Sequence, residues 1–299
     1  MSFPQIVEVI IGLVLVYYVL GAIVSTITQM INESLETRGA ALEMYLKKIA
    51  GDKTVDLTNL PQIRALRPIR YANWWNVFGA GTEEKRVEKI PASTLVNAFF
   101  DMSGLSCKAA FTPDELVATL NQLPESEGKQ AMLHWVQQGV TEIDDLRSRA
   151  SDYFNGVLSQ AQATFKARAR SIVIILSLLV TLILGTDSIQ LSKDLWNDAT
   201  LRAALSIQAN NLTQNQGNAQ DINTLLPNLQ KLLPMRFGWW QTSNFPPGMT
   251  PLSTVGYVAL KLLGLLITAV AVSQGSSFWY DVLKRLTGQS SPPQAEGEP

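Results

Sequence analysis

The chain has 299 residues, 46% hydrophobic and 16% charged, with a formal net charge of −1. That balance gives no basic bias toward nucleic acid and no acidic arm, and the single cysteine, Cys107, excludes an intrachain disulfide and a multi-cysteine metal site. The apolar residues fall in blocks rather than in a spread periodic pattern, which favours a membrane protein over two soluble domains.

The first block, Val9 to Ile31, is long enough to cross a hydrocarbon core of about 30 Å as a helix, the form that satisfies its own backbone in lipid. It lacks the charged lead and small-residue cleavage site of a secretory signal and is longer than a signal core, so it is expected to stay as a signal-anchor. No breaker follows. The helix is expected to run on through Asn32 to Ala50 as a stalk, with Leu35, Leu42, Leu46 and Ile49 near one face, until Gly51.

Residues 52–140 read as a helical module. Within it, Leu60 to Phe78 carries Arg64, Arg67 and Arg70 three apart, followed by Trp74 and Trp75. Arginines beside tryptophans suit anionic lipid headgroups or a partner's carboxylates; the plainer reading is a solvated basic face ending in an interfacial aromatic anchor. Thr112-Pro113-Asp114-Glu115 is a helix start, with a capping threonine, proline in the first turn and a glutamate placed to reach back to the cap amide. Leu116, Leu120 and Leu123 give that helix an apolar face, and a second helix carries Met132, Leu133 and Val136 to Gly139.

Thr141 and Asp144 open the next segment, 141–189, a long helix interrupted by one glycine, Gly156, and containing the second span, Ser171 to Thr186. Those sixteen uncharged residues reach about 24 Å at the helical rise, a deficit that snorkelling or local thinning covers. Ahead of the span, Ile143, Leu146, Ala150, Tyr153, Phe154, Val157 and Leu158 form a stripe that must bury against the stalk, the small helices or a neighbouring copy. Residues 190–253 read as an outer loop region, solvated through its Asn/Gln-rich stretch from Gln208 to Gln220; Asn211-Leu212-Thr213 matches a glycosylation acceptor. The segment 254–286 holds the third span, Leu262 to Tyr280, and an amphipathic end, and 287–299 reads as a disordered tail.

Lys and Arg at the span ends set the orientation. Arg38, Lys47 and Lys48 follow the first span, Lys166, Arg168 and Arg170 precede the second, and Lys284 and Arg285 follow the third. The expectation is an all-α membrane protein with three transmembrane helices, long helices projecting from the bilayer, the N-terminus outside, residues 32–170 in the cytoplasm and the C-terminus inside. Lys166, Arg168 and Arg170 are then candidate headgroup contacts.

Several short runs carry a resemblance: Ile90-Pro91-Ala92-Ser93-Thr94-Leu95 with Phe99-Phe100-Asp101, Tyr153-Phe154-Asn155, Thr186-Asp187-Ser188-Ile189, Phe237-Gly238-Trp239, and Gly275-Ser276-Ser277-Phe278-Trp279-Tyr280-Asp281-Val282-Leu283. In this order they resemble a family of uncharacterised bacterial membrane proteins whose members close with a Gly-Ala-Pro-Phe-Trp-Phe-Asp-Leu-Leu run. Ser276-Ser277 stands where that family has Ala-Pro, and Asn155 where it has aspartate. The resemblance implies a bacterial inner-membrane fold and carries no activity.

Two candidate sites follow. Asp187, at the outer end of the second span, and Lys261, at the outer start of the third, are expected at similar depth, as a structural ion pair or as part of an ion path. On the terminal segment, Trp279, Val282, Leu283 and Leu286 share a helix face, with Asp281, Lys284 and Arg285 turned away; Phe278, Trp279 and Tyr280 are expected at headgroup level, as a surface anchor or as a docking face for the module or a partner. Gly21 with Ser25, and Ala271 with Gly275, permit close helix approach. Glu8 reads as interfacial. There is no phosphate loop, His-Glu-x-x-His or zinc pattern, and the lone His134 sits between Leu133 and Trp135. The expected function is a non-enzymatic membrane anchor or scaffold without cofactor or small-molecule substrate. Its expected partners are lipid and either further copies or a larger membrane complex. The alternative is an oligomeric channel or membrane-disrupting effector.

Overall fold

The computed structural model describes residues 3–71, 82–107, 111–214 and 250–288. Trp74, Trp75, the Phe237-Gly238-Trp239 run, the Asn/Gln-rich stretch beyond Gln214 and the tail from 289 lie outside them. The described chain is helical apart from one antiparallel ladder of three pairs, β1 (Ile69–Tyr71) with β2 (Thr82–Glu84), in register Ile69 with Glu84. Three helices are long and apolar enough to cross a membrane, over Gln5–Ser34, within Ile143–Leu184 and over Leu252–Ser273.

The chain divides into two compact units, residues 31–169 and residues 1–30 with 170–299, each with its own apolar core. It crosses between them inside α1 (Phe3–Ser34) and inside α8 (Ile143–Leu184).

In the 31–169 unit, α2 (Thr37–Ala50) packs on α3 (Thr54–Asn59) and on α7 (Glu127–Gln137). Short α4 (Pro61–Arg64) packs on both α3 and α5 (Ala92–Ser103), and α6 (Pro113–Asn121) lies against α7. Helix α6 begins with a full capping box, Thr112 Oγ1 accepting from the Glu115 amide at 3.3 Å and the Glu115 carboxylate from the Thr112 amide at 3.1 Å. The stripe on α8 is covered within the unit: Ile143, Leu146, Ala150, Phe154, Val157 and Leu158 are buried among Leu46, Ile49, Leu95, Phe99 and Phe100. No neighbouring copy is needed to shield it.

Gly156 is exposed on α8, and a Cβ built there meets nothing within 4 Å. Gly156→Ala is therefore expected to stabilise this unit by about 0.5–1 kcal/mol, because alanine restricts the unfolded chain and loses nothing in the helix. A rise of a few degrees in its melting temperature checks this.

The expected continuous stalk is broken. Helix α1 stops at Ser34, and Glu36 takes a left-handed conformation, φ 47° and ψ 37°, before α2 starts at Thr37. A non-glycine residue there costs on the order of 1 kcal/mol, so the break is imposed from outside the local sequence.

In the other unit, α8 ends at Gly185 (φ 63°), and α9 (Ser188–Asn197) and α10 (Ala199–Gln214) follow. Over the described part of the expected loop, residues 190–214, the chain is helical instead: Leu191, Leu195, Leu201, Leu205, Ala209 and Leu212 pack on Val9, Leu15, Val16 and Val19 of α1. The asparagines and glutamines of α10 alternate with this leucine face at helical spacing, and a polar count does not register such a face.

The third apolar helix, α11, spans Pro251–Ser273, about ten residues nearer the N-terminus than the expected span. It ends because Gly275, at φ 87°, turns the chain into a separate helix, α12 (Ser276–Leu286). Helices α1 and α11 run in the same direction. Tyr17 and Thr268 share a bonded partner in Ser188, while Gly21, one turn further along α1, lies against Gly275 and Ser276 beyond the end of α11.

Candidate functional site

Asp187 caps α9, its Oδ1 accepting the amides of Ile189 at 2.9 Å and Gln190 at 3.3 Å. Its Oδ2 lies 3.6 Å from Lys261 Nζ, which also donates to Gln190 Oε1 at 3.0 Å. Both side chains are buried, at 7% and 4% exposure. Sequence placed Lys261 at the start of a span; it stands in the interior of α11, where an unpaired ammonium would be far more costly.

Two turns along α11 a second set of bonds fixes the same elbow. The Ser188 amide donates to Thr268 Oγ1 at 3.0 Å, and Ser188 Oγ lies 2.7 Å from both Thr268 Oγ1 and the Tyr17 hydroxyl. Thr268 Oγ1 gives its own proton to the Gly264 carbonyl at 2.9 Å. Each hydroxyl has one proton, so the directions are determined: Tyr17 donates to Ser188, Ser188 to Thr268 and Thr268 to a backbone carbonyl. A chain ending on a carbonyl passes no proton onward. Its chemistry is that of a clamp joining α1, α9 and α11.

Gly264 makes room for the pair, since a Cβ there would overlap the Asp187 carboxylate. Gly264→Ala should displace the α9 cap and destabilise this unit by about 1–3 kcal/mol, the range for overpacking. Thermal unfolding in detergent reads the loss, which Gly256→Ala, at a position with nothing within 4 Å, should not show.

Arg202 closes the far end of α9. Its Nη1 donates to the carbonyls of Leu195 at 2.8 Å and Trp196 at 2.7 Å, and its Nε lies 3.5 Å from Glu8 of α1. Glu8, expected to be merely interfacial, thus has a buried cationic partner.

The terminal aromatic run does not form a free docking face. Trp279 lies tilted against Tyr17 with ring centroids 4.9 Å apart and donates Nε1–H to the Ala271 carbonyl at 2.6 Å; Tyr280 lies 5.9 Å from Tyr18 and under the Lys284 ammonium. Leu283 is fully buried, and Val282 and Leu286 pack on the α1 core. Phe278 and Asp281 remain exposed. The turn at Gly275 brings this face back onto the chain's own first helix, an outcome that helical periodicity alone does not reveal.

The basic run is likewise engaged internally. Arg64 makes a bidentate pair with Glu84 (3.1 and 3.2 Å), Arg67 lies 3.7 Å from the same carboxylate, and Arg67 also donates to Thr58 O and Asn59 Oδ1. The Arg64 guanidinium holds the Glu84 carboxyl below its ordinary range. Two of the three arginines proposed for headgroups therefore already have an anion; Arg70 contributes its backbone to β1. Lys166, Arg168 and Arg170 are exposed on α8. His134 is exposed and bonded to Gln138, Cys107 closes the 3-10 turn Leu105–Cys107, and among the described residues no three His, Cys, Asp or Glu side chains gather as a metal site.

Sequence reasoning singled out Asp187 and Lys261, which meet, but not Tyr17, Ser188, Gln190, Arg202, Gly264 or Thr268. The available signal was a lysine inside an apolar run together with hydroxyl residues on the flanking spans. No protein-family model, curated protein or solved structure matches the chain.

Proposed function

We propose that the chain is an integral membrane anchor that carries the helical module of residues 31–169, acting as a scaffold rather than as an enzyme. One observation carries this reading. On α8 the hydroxyl residues Ser177 and Thr181 are buried while Ile174, Ile175, Leu178, Leu179 and Ile183 face outward; on α11, Lys261 and Thr268 are buried while Leu262, Leu263, Leu266, Ile267 and Val270 face outward. Polar residues inside and large apolar residues outside is the distribution that lipid favours and water opposes.

The charge flanks support an orientation with the N-terminus outside and the module and C-terminus in the cytoplasm, and the family resemblance supports a bacterial inner membrane. The parallel course of α1 and α11 fits three crossings. Lipid is the partner that the outward apolar faces call for. Assembly with further copies or into a larger complex is open to a mass measurement of the intact particle in gentle detergent, but the covered α8 stripe no longer argues for it.

Alkaline carbonate washing of membranes, followed by conductance recording on the purified protein in liposomes, tests the proposal. Retention in the pellet and electrical silence are expected. Release into the wash overturns the membrane reading, and single-channel currents overturn the scaffold in favour of a pore.

A further inference from the structure

Glu36 is the one non-glycine residue with positive φ among the described residues. Its own sequence does not ask for a break: Leu35, Glu36, Thr37 and Arg38 include no glycine or proline, and leucine, glutamate and arginine are good helix formers. The cause lies fifty residues further on, in the same unit. Glu36 Oε2 accepts the Arg86 amide at 3.0 Å, Lys85 Nζ stands 3.4 Å from Oε1, and the Arg86 guanidinium bridges Oε2 at 3.9 Å and Glu43 at 3.2 Å. Beneath these contacts the α2 backbone comes so close at Gly39 that a Cβ there would stand 2.6 Å from Arg86 Cβ. Residues 84–87 thus form a strap across the first turn of α2.

Local preference and tertiary contact are opposed here, which is the condition for two packings of one sequence. We propose that the α1–α2 junction is a two-state element: with the strap docked on Glu36 the chain breaks there, and with the strap released α1 runs unbroken into α2. The two states differ at identifiable atoms. In the broken state the amides of Thr37, Arg38 and Gly39 are first-turn amides without an intrahelical acceptor, whereas in the continuous helix they donate to the carbonyls of Glu33, Ser34 and Leu35.

Residue-resolved hydrogen exchange on the full chain in detergent tests this with two variants that both lack the carboxylate. Glu36→Ala also disfavours the left-handed conformation and should slow exchange at Thr37 to Gly39 by about tenfold or more, as local opening free energies shift. Glu36→Gly also frees the strap but accepts that conformation without cost and weakens the continuous helix, so it should slow these amides less than alanine does. Equal exchange at these amides in all three proteins overturns the proposal. So does loss of protection at Leu95 to Phe100 in the alanine variant, since that result would make Glu36 a simple structural tether.

Discussion

Lys261→Met is expected to destabilise the unit built from residues 1–30 and 170–299 by about 3–5 kcal/mol, because it leaves the buried Asp187 carboxylate without its counter-charge. Methionine keeps the length and apolar stem of lysine, so little packing is lost with the charge. Two backbone amides still reach Asp187 Oδ1, but Oδ2 loses its partner. Asp187→Asn removes the carboxylate charge while keeping an N-cap residue, so the double variant Asp187→Asn/Lys261→Met should recover most of the lost stability. Thermal unfolding of the four proteins in one detergent gives the coupling energy directly. A single Lys261→Met variant melting with the wild type would show that the pair contributes nothing, and a double variant no better than the single would place the effect outside the pair.

Much of the architecture was legible because it depends on neighbours in sequence. The apolar blocks of α1, α8 and α11 and the capping box at Thr112 to Glu115 are local patterns, and local physics forms them. The misread features have distant causes. Glu36 breaks a helix because of Lys85 and Arg86; Arg64 and Arg67 are occupied because the β1–β2 ladder returns Glu84 to them; the α12 face is buried because Gly275 turns it onto Tyr17 and Tyr18. The third span was placed late because the aromatic run after Gly275 extends the apolar block in sequence while the helix itself stops at Ser273. Lys261, expected at the start of that span, accordingly stands in the interior of the apolar helix, where it still meets Asp187.

The same contrast explains why the polar clamp was only half visible. A lysine in an apolar run demands a partner, so Asp187 and Lys261 could be paired by charge alone. Serine and threonine make no such demand, since each also satisfies itself on its own helix, as Thr28 does on the Val24 carbonyl. Only the fold distinguishes Thr268, whose hydroxyl joins α9 to α11, from Thr28, whose hydroxyl stays within α1.

Phe154→Ala should destabilise the 31–169 unit by about 3–5 kcal/mol, the cost of emptying a buried aromatic site. Phe154 is fully buried on α8, edge-on to Phe99 with ring centroids 5.6 Å apart and 5.9 Å from the ring of Tyr153. It lies where the α8 stripe meets α5, so collapse around the cavity would require α5 to move, and Phe100 and Leu95 on that helix are equally buried. The core it belongs to contains no residue of the other unit's core. The loss should therefore be confined: hydrogen exchange on the full chain in detergent should quicken through α5, α7 and residues 143–161, while the buried amides of α9, α10 and α11 keep their rates. Uniform acceleration through both cores would show that they unfold as one body, and no acceleration near Phe99 would show that the α8 stripe does not hold the module together.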